Sequence, residues 1–222
     1  KSKKNNGYCV AGIDIHNGQW IRFVSSDVES HGSLFQKDMQ YENGSYCKVL
    51  DVARIPILKK EPTRNQPENI LINEIRYWDI IKSVSINDVL EIHPLETPKY
   101  LFGNSQPYIT ENIMNTLNHS LILVRVENLY ITKPNYNRIK ARFEYNNTAY
   151  VDVSVTDTDY TYKNCPQRID EAILVMSLPD LPYRNCYYKF IAKIFPKKTT
   201  QNDVSDILSR LMRGETFRFG SR

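Results

Sequence analysis

A chain of 222 residues, 41% hydrophobic and 24% charged, can bury one large β domain or two small ones without metal or disulfide support, and this composition excludes wholesale disorder. The formal net charge of +4 is only mildly basic. It permits a nucleic-acid partner without demanding one, so any anion site has to come from local clustering of Lys and Arg.

In chain order, strand signals come first: Tyr8 to Ile15, Trp20 to Ser25 after the turn Asn17-Gly18, and a long run from Tyr46 to Leu58 after Asn43-Gly44. Three strands with tight turns predict a curled antiparallel sheet. Residues 59–69 turn polar, with Pro62 and Pro67, and Ile70 to Ile75 follows as a short apolar segment. Between Trp78 and His119 the pattern changes to two short helices, Ile86 to Glu91 and Thr110 to Leu117, set among Pro94, Pro98, Pro107 and the Gly103-Asn104-Ser105 cluster. This reads as a connector, or as loops lying over a sheet. Strands return at Leu121 to Ile131, Arg138 to Tyr145, Thr148 to Thr156, Ala172 to Leu178 and Cys186 to Phe195, the number a small OB-like barrel needs. The tail places Val204, Ile207, Leu208 and Leu211 at helical spacing, with Asn202 or Asp203 as N-cap and Gly214 as stop. Such a helix closes a barrel end or docks on a protein partner.

The hairpin in the second half is the most informative stretch. Ile139, Ala141, Phe143 and Tyr145 alternate with Arg138, Lys140, Arg142 and Glu144, which predicts one buried face and one mostly basic face. After Asn146-Asn147 the alternation resumes, with Ala149, Val151, Val153 and Val155 on one face and Tyr150, Asp152, Ser154 and Thr156 on the other.

Cys9, Cys47, Cys165 and Cys186 stand alone, without the paired spacing of zinc sites or redox dithiols. Cys9, Cys47 and Cys186 flank or lie within apolar runs and read as small core residues, a usage that fits a reducing cytosol. No signal-peptide core and no apolar run of membrane-spanning length is present, so a cytoplasmic protein with no membrane partner is expected. The chain opens on Lys1-Ser2-Lys3-Lys4 without an initiator Met, which points to a short preceding segment such as an edge strand.

The runs Gly7-Tyr8-Cys9-Val10-Ala11-Gly12-Ile13-Asp14, Gly18-Gln19-Trp20-Ile21-Arg22-Phe23-Val24-Ser25, Leu50-Asp51-Val52-Ala53-Arg54-Ile55-Pro56 and Gln66-Pro67-Glu68-Asn69 resemble the prokaryotic dual OB-domain family. Ala141-Arg142-Phe143-Glu144-Tyr145, Ser154-Val155-Thr156-Asp157 and Cys186-Tyr187-Tyr188-Lys189 extend the resemblance over nearly the whole chain. It implies two OB-like barrels and a role in nucleic-acid binding or modification within prokaryotic defence or stress systems. The domain expectation is a first barrel over 1–80, a connector over 81–119, and a second barrel with the C-terminal helix over 120–222.

OB barrels bind single strands by joining a basic groove to aromatic faces on which bases stack. Candidates in the first half are Trp20 and Arg22 on one strand face, with Lys48 and Arg54 on another; in the second they are Tyr136, Arg138, Lys140 and Arg142, with Tyr187 and Lys189 near the end. The competing reading makes Trp20 a barrel plug and the basic row a solvated edge that discourages strand pairing. Gln66-Pro67-Glu68-Asn69 can cap backbone groups or read a ligand's hydrogen-bonding edge. The Ser154 to Asp159 stretch gathers carboxylates that could hold magnesium or make an Asx turn, and Asp14 and His16 could act as base and orienter. His31, His93 and His119 form no ligand spacing, and no phosphate loop or dinucleotide fingerprint is present, so no metal or cofactor is expected. The expected partner is DNA or RNA, single-stranded favoured. Alternatives are an enzyme acting on nucleic acid or nucleotides, and a protein-interaction or small-ligand sensing module.

Overall fold

Turn chemistry sets the first strands in order. The computed structural model of the protein describes residues 2–4, 7–135, 138–160 and 165–197; the predicted C-terminal helix and Tyr136 lie outside them. Strands β2 (Gly7–Ile13) and β3 (Trp20–Val24) form an antiparallel hairpin, with β1 (Ser2–Lys4) on the outer side of β2. The turn between β2 and β3 needs Gly18, which has φ 69 and would bring a Cβ within 2.5 Å of Ile92 O.

The single run predicted from Tyr46 to Leu58 is broken into β4 (Asp51–Arg54) and β5 (Ile57–Lys60). Leu50 precedes β4 in the left-handed region at φ 70, and Pro56, with no N–H for a ladder, separates the two pieces. Each piece joins a different partner: β5 pairs with β6 (Asn69–Ile72), and β4 with β7 (Asp79–Ser83), a strand inside the predicted connector. Buried Val10, Phe23, Leu34, Met39, Tyr41, Ile72 and Trp78 form the core of this unit.

The connector holds α1 (Ile86–Ile92), β8 (Tyr108–Ile109) and α2 (Glu111–Met114). Helix α1 starts on a capping box in which Ser85 Oγ accepts from Asp88 N and Asp88 Oδ2 accepts from Ser85 N at 2.7 Å.

The second unit is a closed barrel of β9 (Leu121–Asn135), β10 (Arg138–Tyr145), β11 (Thr148–Val155), β12 (Gln167–Ser177) and β14 (Phe190–Pro196), with β13 (Tyr187–Tyr188) pairing to β8 outside it. Around the barrel the order is β9-β10-β11-β14-β12, and β11 runs parallel to β14. The third and fifth barrel strands are thus parallel neighbours, the five-stranded Greek-key arrangement of an OB barrel. The first unit repeats this order as β1-β2-β3-β6-β5, with β3 parallel to β6, but among the described residues its ends do not pair. Strand β9 has 15 residues and bonds to both β10 and β12, whereas β1 has 3.

One face assignment is corrected. On β11, Tyr150 is fully buried and Val151 is 58% exposed, the reverse of the simple alternation. Between the pairs Ala141↔Val153 and Phe143↔Tyr150, β11 advances three residues against two on β10, a bulge with Asp152 at φ 62. The extra residue swaps the faces on either side of it.

Candidate nucleic-acid interface

The outward face of the second barrel carries a row of basic and aromatic residues. Cross-strand register sets Arg142 of β10 opposite Tyr130 of β9, and Tyr130 opposite Arg168 of β12. Leu129 and Ile131 point into the core on either side of Tyr130, so the three side chains form a row on the outer surface. The Arg142 guanidinium lies over the Tyr130 ring, 5.1 Å from its centroid. Arg138 is exposed at the start of β10. Lys140 is partly enclosed and pairs with Asp152 at 3.2 Å.

A second row continues across the barrel. Lys140 stands opposite Ser154, and Ser154 opposite Phe190 of β14. Tyr187, Lys189 and Ile191 are buried, so Tyr188 and Phe190 take the outer side. Tyr188 contacts Tyr108 at 5.7 Å and Tyr183 at 6.3 Å between ring centroids, and Arg184 covers Tyr183 at 5.3 Å. A basic and aromatic surface therefore runs from β12 over β9, β10 and β11 to the loop between β12 and β14.

Two expected residues at this end turn inward. Lys189 Nζ donates to Asn104 O at 2.6 Å and to Asn104 Oδ1 at 2.8 Å, with no exposed surface. Tyr187 is 5% exposed, and its hydroxyl accepts from Asn65 Nδ2 at 3.4 Å. Tyr188 and Phe190, which replace them on the outer side, each lie one residue away along the chain. Tyr130 and Arg168 were readable only by counting from buried Leu129 and Ile131 across the bulge at Asn128, which has φ 52.

In the first unit, Arg22 is buried where the two units meet. Its Nη2 donates to Ser120 Oγ at 2.8 Å and to Ser177 Oγ at 3.3 Å, and lies 3.6 Å from Glu68 Oε1. Burial pushes its pKa down while Glu68 pulls it up. Gln66-Pro67-Glu68-Asn69 joins the units: Gln66 Nε2 donates to Leu178 O at 3.1 Å, and Ser120 Oγ bonds to Glu68 Oε1. Close by, Thr63 Oγ1 donates to Asp180 Oδ1 at 2.6 Å and Asn65 Nδ2 to Asp180 O at 2.7 Å. The loop reads the neighbouring barrel's backbone.

Trp20 is half-buried with His93 against it, ring centroids 5.2 Å apart. His93 Nδ1 bonds to Gly18 O at 2.7 Å, and its pKa is raised chiefly by its hydrogen bond to Glu96. Lys48 is exposed ahead of β4, and its backbone N donates to Asp51 Oδ2 at 2.8 Å, so it does not share the expected strand face. Arg54 is exposed and paired with Asp79 at 3.0 Å.

The Ser154 to Asp159 carboxylates are already engaged. Buried Asp157 pairs with Lys193 at 3.2 Å and accepts from Ile194 N at 2.8 Å and Asp159 N at 3.0 Å, while Asp159 contacts Lys193. Lys193 takes the place a cation would take. Asp14 Oδ1 accepts from His16 N at 3.0 Å, a local turn rather than an oriented base.

The arrangement defines an OB-fold protein in which the strand order is used twice. The chain belongs to the dual OB-containing domain family, whose model matches residues 1–194. No curated protein and no solved structure matches it.

Proposed function

We propose that the protein binds single-stranded nucleic acid along the outer face of the second barrel. The observation that carries this reading is the cross-strand row Arg142, Tyr130 and Arg168, continued through Lys140 to Phe190 and Tyr188. Cations spaced along a barrel face follow a phosphate backbone, and the rings and guanidinium planes beside them stack unpaired bases. Duplex bases are already stacked on each other, so an aromatic surface favours the single strand.

Fluorescence anisotropy with labelled single-stranded DNA, single-stranded RNA and duplex DNA, each at two salt concentrations, tests the reading. Arg142→Ala with Arg168→Ala is expected to weaken single-strand binding and lower its salt slope by about 0.7 for each phosphate that is no longer neutralised. Tyr130→Ala is expected to cost about 1–3 kcal/mol if one base stacks there. Binding that ignores salt, or that both variants leave intact, overturns the proposal.

A further inference from the structure

A cleft of about 520 Å³ opens on the first unit, between the end of β4, the turn joining β6 to β7, and Glu42, and its size is that of a small-molecule site. Backbone bonds pin its frame: Asn73 N donates to Pro56 O at 2.8 Å, Arg76 N to Asn73 O at 3.2 Å and Glu42 N to Trp78 O at 3.3 Å. Trp78 is buried in the core beneath. The lining side chains therefore project from a fixed backbone, which lowers the ordering cost of binding.

The charges divide into two kinds. Arg54 and Asp79 satisfy each other at 3.0 Å, whereas Arg76 and Glu42 form no ion pair with a described residue. Beside them Tyr77 is 59% exposed and Ile75 96% exposed. With Arg54 and Asp79 neutralising each other and Glu42 balancing Arg76, the lining has no net positive charge to follow a run of phosphates, so the cleft does not suit the strand that the second barrel is proposed to hold. One uncommitted cation, one uncommitted carboxylate and an aromatic face suit a small ligand with one phosphate, a flat ring and N–H donors.

We infer that this cleft binds a guanosine monophosphate-type nucleotide, with Arg76 on the phosphate, Tyr77 stacked on the base and Glu42 accepting from N1–H and the 2-amino group. Guanine presents those two donors side by side, matching a carboxylate. Adenine presents a donor beside an acceptor, which leaves one carboxylate oxygen facing a lone pair.

Isothermal titration of the full chain with GMP, AMP, guanosine and inorganic phosphate tests this. GMP is expected to bind about tenfold or more tightly than AMP, the worth of one charge-assisted hydrogen bond. Arg76→Ala should weaken GMP and leave guanosine unchanged, and Glu42→Gln should remove the preference for GMP over AMP. Both residues are exposed, and a thermal melt of each variant checks that the fold is kept. The Arg142 and Arg168 variants should bind GMP normally, which separates this site from the strand-binding face. Absence of GMP binding at millimolar concentration, equal binding of inorganic phosphate, or unchanged GMP affinity in both cleft variants overturns the inference.

Discussion

Lys189 shows what a basic residue does once the fold encloses it. Its amine is held by the two oxygens of Asn104 and lies 5.4 Å from the Tyr150 ring centroid, yet burial dominates and pushes its pKa down to about 7. The folded value lies below the ordinary 10.5, so between pH 7 and 10.5 the unfolded chain holds a proton that the folded chain has released. Stability therefore rises with pH across that window, and below pH 7 the full burial penalty is present. The neutral amine keeps its N–H donors, so its bonds to Asn104 persist. Denaturant unfolding at pH 6.5, 8 and 9.5 is expected to show wild type gaining on Lys189→Met by up to about 1.4 kcal/mol per pH unit. A constant difference between the two proteins would contradict this account. Such a residue cannot serve as a phosphate contact, whatever its place in a basic sequence pattern.

At the scale of elements, the bulge on β11 decides which residues the barrel shows to solvent. Asp152 has φ 62 there, a conformation that costs a β-branched residue heavily and glycine little. Asp152→Val is expected to lose about 1–2 kcal/mol in thermal or denaturant unfolding, with Asp152→Gly close to wild type apart from the absence of its pair with Lys140. Equal stability of the two variants would mean that the bulge is not what fixes the register. This element also marks the limit of what the sequence made legible. The Asn146-Asn147 turn, the alternation in β10, the short helix from Ile86 and the number of strands in the second unit were readable because each depends on neighbours a few residues apart. A bulge adds one residue without a reliable local signature, so Tyr150 and Val151 were assigned to the wrong faces. Tyr187 and Lys189 failed for a related reason: β13 leaves the barrel to pair with β8, a partner far away in sequence.

At the scale of the whole molecule, the first sheet and the closed second barrel share a small polar core. Arg22, Glu68, Ser120 and Ser177 come from strand β3, the loop before β6, the residue just ahead of β9 and the end of β12, and the Arg22 and Glu68 side chains are 6% and 7% exposed. A buried pair adds little over an apolar pair of the same shape, because both charges must leave water; removing only one partner strands the other. Arg22→Met or Glu68→Leu alone is therefore expected to cost about 3–5 kcal/mol and to separate unfolding into two transitions, one for each unit. The double variant Arg22→Met with Glu68→Leu should recover most of that loss, since no uncompensated charge remains. Differential scanning calorimetry reads both quantities. Two transitions already present in wild type would show that the junction does not couple the units, and a double variant as unstable as the sum of the single changes would show that packing, rather than charge, sets its strength. Coupling matters to function because the proposed strand-binding face and the proposed nucleotide cleft lie on different units. The bonds of Gln66 and Glu68 to Leu178 and Ser120, with those of Thr63 and Asn65 to Asp180, keep those two surfaces at a fixed separation.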